Sequence, residues 1–211
     1  DPQAGPTVLH FAVPFVADDV TIMDNWRTLG MRATGSHDVL LDGVFVPENA
    51  VALRRPKGRW HLFWTVAVTV AMPLVMAVYV GIAEAAAALA CREAMKKNQE
   101  PHVQYLVGEM ENALVTAQMA LQGMIETAAN YDFPPVEHTA DAILIRKTIA
   151  ARAAVLTVEK ALEVVGGAGF FRSLGLERLL RDVHGAAFHP LPEKRQQLFT
   201  GRLALGLDPI G

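Results

Sequence analysis

Between Thr7 and Val46 the chain is dense in β-branched and aromatic residues, whereas beyond Trp60 long stretches carry apolar residues at helical spacing. Thr7 to Phe15 and Val20 to Trp26 read as strands separated by a turn at Ala17-Asp18-Asp19. His37 to Val46 alternates around Asp42-Gly43, the signature of a hairpin or bulge. So few strands offer too little surface for an independent sheet. After the basic run Arg54-Arg55-Pro56-Lys57-Gly58-Arg59 the pattern becomes helical. Trp60 to about Lys97 predicts one long helix, or two segments bent at Pro73, because proline removes a backbone donor and crowds the preceding turn. Asn98-Gln99-Glu100-Pro101 ends it. From His102 to about Asn130, Val103, Leu106, Met110, Leu114, Leu121 and Ile125 share one broad face. Phe133-Pro134-Pro135 breaks that helix, and Thr139 is placed to cap the next, which runs through Ile143, Ile149, Leu156 and Val165 until Gly166 stops it. A shorter helix, about Glu193 to Leu205, closes the chain.

The expected fold is therefore mostly α, an up-and-down four-helix bundle preceded by a fragment of β structure. The expected boundaries are 1–53 for the β part, 54–59 for a linker and 60–211 for the bundle. The very apolar stretch Leu62 to Ala90 exceeds what one small bundle can cover and predicts oligomerisation.

Composition narrows the function classes. A net charge of -3 argues against a nucleic-acid binder, which needs a concentrated basic surface. The run Arg54–Arg59 reads as a solvated linker, with anion contact as the alternative. Cys91 is the sole cysteine, so no disulfide forms within the chain, and its Ala-rich surroundings read as a structural thiol. Leu62 to Ala83 is uncharged and long enough to span a bilayer. Thr65, Thr69, Pro73 and Gly81 interrupt it and no second span follows, which favours the centre of a bundle over a membrane segment. His184 and His189, five apart, would sit about 140° apart on a helix and do not converge as metal ligands would. Dinucleotide fingerprints, P-loops and Cys-pair spacings are absent.

Two blocks carry a family resemblance. One is Val164-Val165-Gly166-Gly167-Ala168-Gly169-Phe170, followed by Leu176-Glu177-Arg178, Arg181-Asp182 and Phe188-His189-Pro190. The other is Trp26-Arg27-Thr28-Leu29-Gly30-Met31-Arg32-Ala33-Thr34-Gly35-Ser36, followed by Val44-Phe45-Val46-Pro47. In this order they resemble the C-terminal part of the acyl-CoA dehydrogenase superfamily: a late piece of its β-domain and its C-terminal helical domain. The resemblance implies a flavin cofactor, FAD or FMN, a homotetramer built as a dimer of dimers, and a chain that is the later part of a larger protein.

The resemblance also implies roles for particular residues. Gly166, Gly167 and Gly169 would let a neighbouring subunit's flavin approach bare backbone, since glycine has no Cβ to hold it off. Glu163 stands where the family usually has Gln. Gln104 matches a Gln at a helix entry, while Met95-Lys96-Lys97-Asn98 replaces the family's Arg-x-x-Phe-Gly phosphate contact, which suits reversible uptake of reduced flavin. Ser36 and Thr34 offer hydroxyls to flavin or substrate, and Trp26 an aromatic wall. Dehydrogenases of the family carry a catalytic Glu at a fixed interval after the Arg-Asp pair, and here that position is Pro190, with His189 beside it. Imidazole titrates near neutrality and serves as acid or base. A His in this loop resembles the flavin-dependent monooxygenase branch, which implies hydroxylation of an aromatic or related small molecule with O2, a separate flavin reductase as partner, and a cytoplasmic location without nucleic-acid or membrane partners. His189 is expected at the mouth of an apolar cavity bounded by Phe170, Phe171 and Phe188, and Arg181-Asp182 as an ion pair or cap fixing the loop. Two alternatives stay open: an acyl-CoA dehydrogenase-like FAD enzyme, and a non-catalytic helical oligomerisation module.

Overall fold

Helix begins where the apolar pattern changes. In a computed structural model that describes residues 5–210, His61 caps the first helix by accepting from the Phe63 amide, 3.2 Å. That helix, α1 (Leu62–Ala94), passes unbroken through Pro73, which is buried. Proline costs a backbone bond here, but packing on both sides of it holds the helix together. Helix α2 (Pro101–Ala128) starts with proline at its first position, where the missing N–H costs nothing. Helix α3 (Glu137–Val165) ends at Gly166, whose φ of 69° and ψ of -145° suit glycine alone. Thr139 does not cap α3 as expected. It lies inside the helix, and its hydroxyl donates to the Pro134 carbonyl, 2.7 Å, so it pins the preceding loop instead.

The stretch after Gly175, which is in the left-handed region, forms a short helix, α4 (Leu176–Val183), that buries Leu176 and Val183. The last helix is α5 (Glu193–Ala204). Helices α1, α2 and α3 pack together as the body of the bundle, α4 lies against α1 and α3, and α5 against α3. Small residues make the close centre, with Ala83, Ala86, Ala90, Ala117, Ala154 and Ala161 fully buried around Met110 and Val158. Helix α1 is long and apolar enough to cross a membrane by length and composition, yet twelve of its residues are buried within the bundle.

The β segment is thinner than its sequence pattern. Strand β1 (Thr7–Phe11) stops short of the expected Phe15, because Pro14 begins a turn, with the Ala17 amide donating to its carbonyl. Strand β2 (Val20–Ile22) pairs antiparallel with β3 (Val39–Leu41). The hairpin expected around Asp42-Gly43 does not form. Gly43 turns with φ 76°, but the Asp42 amide donates back to Asp19 and no strand begins before Val51. Strand β4 (Val51–Pro56) pairs with β1, so Arg54, Arg55 and Pro56 are strand and not linker. Arg55 also bonds His10, 2.8 Å, and lies over the Trp64 ring of α1. The fold brings the β segment against one side of α1 and α4. That seam positions the site.

Candidate active site

Where the segment 26–36 meets the bundle, a cavity of about 720 Å³ opens. Its β-side wall includes Trp26, Leu29, Met31, Thr34 and Ser36, and its helical wall Val75, Val78 and Tyr79 of α1. Arg181, His184, Gly185, Phe188 and His189 close the far side. Among the described residues no aspartate or glutamate lines it.

The seam is stitched by polar bonds. The Asp182 carboxylate accepts from the Met31 amide, 2.6 Å, and Arg181 donates to the Leu29 carbonyl, 3.1 Å, while pairing with Glu177 at 2.8 Å. The expected role of Arg181 and Asp182 in fixing a loop takes this form, with Glu177 and the 29–31 backbone as partners. Gly30 is required here, since a Cβ would come within 2.0 Å of the Arg181 carbonyl oxygen. Met31 has φ 53°, an uncommon conformation for a residue with a side chain. It is held there by Asp182 on its amide and by Trp26 Nε1, 3.1 Å, and the Thr34 hydroxyl, 2.8 Å, on its carbonyl. Strain held by this many partners collects at functional sites.

His189 is half-buried at the cavity, with Nε2 2.7 Å from the Tyr79 hydroxyl. Burial, and then the nearby Lys147 charge, hold its pKa below the usual histidine value. Tyr79 is 3% exposed, and burial, then Asp182, push its phenol above the usual value, so both partners are neutral near pH 7. Gly185 makes room for the ring, because a Cβ there would lie 2.8 Å from the Tyr79 oxygen. The pair can pass or hold a proton beside an apolar space.

The structure brings together His189, Ser36, Thr34 and Trp26 at one cavity. Of the three phenylalanines expected around His189 only Phe188 lines the cavity, whereas Phe170 and Phe171 are exposed beyond the end of α3. His184 lines the same cavity as His189, because the short helix from His184 ends at Phe188 and His189 is extended, so the helical spacing assumed for the pair does not apply. Gln104 is not at the cavity: it is exposed on α2 and donates to the Asn98 carbonyl, 2.9 Å. Gly166, Gly167 and Gly169 also lie off its lining. Gly166 and Gly167 face open space, and Gly169 is packed against Leu162. Cys91 is half-buried near Glu111, and no cluster of metal-ligating side chains exists among the described residues.

Sequence reasoning missed Tyr79, Lys147 and Met31. Tyr79 sits on a helix apolar all round, where no face stands out. Lys147 carried a signal, since it interrupts the buried stripe Ala140, Ile143, Leu144, Ala151, Ala154.

Comparisons with known proteins bear on the family and the fold. Residues 74–193 match the family model described as acyl-CoA dehydrogenase, C-terminal domain. The amino sugar nitrososynthase DnmZ of Streptomyces peucetius is 32% identical over 223 residues, covering 97% of this chain and 53% of that protein. Cyclohex-1-ene-1-carbonyl-CoA dehydrogenase of Geobacter metallireducens is 24% identical, covering 97% of this chain and 54% of its own length. Among solved structures, KijD3 in complex with FMN and dTDP-3-amino-2,3,6-trideoxy-4-keto-3-methyl-D-glucose superposes with a TM-score of 0.81 at 28% identity, covering 92% of this chain and 50% of that one. The chain thus spans about half the length of the curated relatives it matches.

Proposed function

Because this chain belongs to the acyl-CoA dehydrogenase family through its C-terminal domain, we propose that the protein is a flavin-dependent monooxygenase of that fold. The observation that carries the reading is the cavity's chemistry: His189 and Tyr79 at its wall, proline at 190, and no carboxylate among the described lining residues. Removing an α-proton from an acyl thioester calls for a base placed at the substrate, and the family's carboxylate is missing from that place. An imidazole held neutral can instead deprotonate a phenol or an amine about to receive oxygen.

The residues fit a flavin ring. The cavity volume falls within the usual range of about 300–1,000 Å³ for small-molecule sites. Trp26 offers an aromatic face, Ser36 offers a hydroxyl for ring oxygens and nitrogens, Thr34, whose proton goes to the Met31 carbonyl, can accept from a ring N–H, and the walls are otherwise mostly apolar. No cation is free on this lining for a phosphate, because the Arg181 guanidinium is engaged by Glu177 and Leu29. The phosphate end would lie beyond it, and Gly166 and Gly167, with open space at their Cβ positions, suit close approach by a flavin held by a second copy in a dimer of dimers. Gln104 and Gly169 belong to this proposal only as neighbours of such an interface. Either FMN or FAD is compatible with the ring half of the site.

Reduced flavin, when bound, supplies the two electrons that let one atom of O2 enter the substrate and the other leave as water. The chain's own residues do the rest. His189 takes the substrate's proton, Tyr79 fixes Nε2 of that ring, and Val75, Val78, Leu29, Met31 and Phe188 exclude water. A separate flavin reductase would supply the reduced cofactor, and the enzyme would be soluble and cytoplasmic. The substrate class is an aromatic or related small molecule. A second reading, oxygenation of an amino group on a sugar, is favoured by the 32% identity with DnmZ.

The test is to supply the intact protein with reduced flavin, 18O2 and candidate phenols and amino sugars. Incorporation of one labelled atom into product is expected. Efficient bleaching of bound flavin by acyl-CoA thioesters would place the protein on the dehydrogenase side instead.

A further inference from the structure

Lys147 is the largest fully buried side chain of the bundle, 1% exposed, and it carries an ammonium into the core from the middle of α3. No carboxylate lies within ion-pair distance of it among the described residues. Its Nζ donates to the carbonyls of His189, 2.9 Å, and Leu191, 3.1 Å. Burying a charge opposite only neutral dipoles costs several kcal/mol, so such a group persists where something else requires it. The segment it holds has few other ties. Outside helices and strands, no backbone–backbone hydrogen bond among the described residues involves His189, Pro190 or Leu191. The polar anchors of this stretch are Lys147 on its backbone and Tyr79 on its ring.

We propose that Lys147 is a positioning residue for His189, its ammonium stapling the carbonyls on either side of Pro190 so that the imidazole stays against Tyr79 at the cavity wall. The role rests on the reading of His189 as the proton-transferring group. The same ammonium acts on the ring through space: behind burial, its charge is the second cause that depresses the His189 pKa. Lys147 itself is held below the usual lysine value by burial, with a weaker opposing pull from Glu193, which is already paired with Arg152. The other titratable or charged groups around the two are Tyr79 on α1, Glu159 on α3, Arg181 and Asp182 on α4, and His184 in the loop. One side chain thus fixes the place of the base and helps set its protonation state.

The test is NMR titration of the full chain labelled with 15N-histidine, without flavin or substrate. Lys147→Met keeps the length of the side chain and removes the charge. It should raise the His189 pKa and speed amide exchange across residues 184–191 about tenfold or more. Turnover of the intact variant should lose activity on its acid side at correspondingly higher pH. A folded Lys147→Met chain whose His189 titrates as before would overturn the proposal. Should that variant fail to fold, a chain that keeps Lys147 still decides, with Tyr79→Phe removing the phenol's own ionisation. His189 resonances should then show a second inflection coincident with deprotonation of Lys147, and its absence would overturn the proposal. A His189 that responds to Lys147 while His189→Ala leaves turnover intact would retain the positioning and refute the assigned function.

Discussion

The bundle and the β segment differ in how they are held. Helices α1 to α4 bury a continuous core of alanine, methionine and branched aliphatic side chains. In the β segment, among the described residues, not one before Thr65 is buried, and its four strands form two separate two-stranded ladders. The first region is stabilised by its own packing, and the second by what it leans on: Asp182 to Met31, Arg181 to Leu29, Arg55 over Trp64. The cavity lies on the line between them. The bundle carries Tyr79 and the loop with His189, and the β segment supplies the Trp26, Thr34 and Ser36 side of the wall.

That contrast can be broken in several ways. The largest effect is expected from His189→Ala, which should lower turnover of the intact protein by about 10²- to 10⁴-fold with little change in flavin affinity. His184→Ala should be far milder, since its ring has no hydrogen-bond partner among the described residues. Steady-state kinetics of the two variants side by side checks this, and equal losses would make the loop histidine merely structural.

Next comes packing. Leu144 is fully buried, and Leu144→Ala should cost about 2–5 kcal/mol of stability. Leu41 on β3 is 46% exposed, and Leu41→Ala should stay within about 0.5 kcal/mol. Urea denaturation of both variants measures the difference. A comparable loss at Leu41 would mean that the β segment shares the core after all.

A smaller, local effect is expected at the seam. Asp182→Ala removes the acceptor for the Met31 amide, a charged hydrogen bond of about 1.5–3 kcal/mol. Hydrogen exchange should report it at Met31 and its neighbours, with the bundle amides unchanged. Exchange rising evenly through the molecule would show that seam and bundle unfold as one.

The smallest effect is on pH. Native His189 binds a proton less readily than the unfolded chain, whose histidine titrates near 6.5. Below that value the unfolded state holds more protons, so this contribution to stability is complete above pH 6.5 and is lost as pH falls through the native value. The melting temperature should decline on acidification across this window, and His189→Ala should flatten the decline.

How much was legible in sequence follows the same division. Long periodic stretches gave α2 and α3 nearly to their ends, because proline and glycine punctuate them at Pro101, Pro135 and Gly166. The flavin-family resemblance led to His189 and Ser36, which do meet at the cavity. Strand pairing was not legible: β1, ending at Phe11, joins β4, beginning at Val51, and short alternating runs do not say which partner they choose. Tyr79 was hidden by a helix without a polar face, and Lys147 by the expectation that lysine seeks solvent. Gln104 lies off the cavity, since a matched residue type does not fix where its helix points.

The central claim, that the seam cavity receives a flavin ring, is tested most directly by tryptophan fluorescence. Trp26 lines the cavity, while Trp60 meets Phe199 edge to face and Trp64 lies under Arg55. With Trp60 and Trp64 replaced by phenylalanine, titration of the 211-residue chain with FMN or FAD should quench Trp26 saturably in the micromolar range. Binding that leaves Trp26 unquenched, or no binding at all, would contradict the account and leave the chain as a helical assembly module.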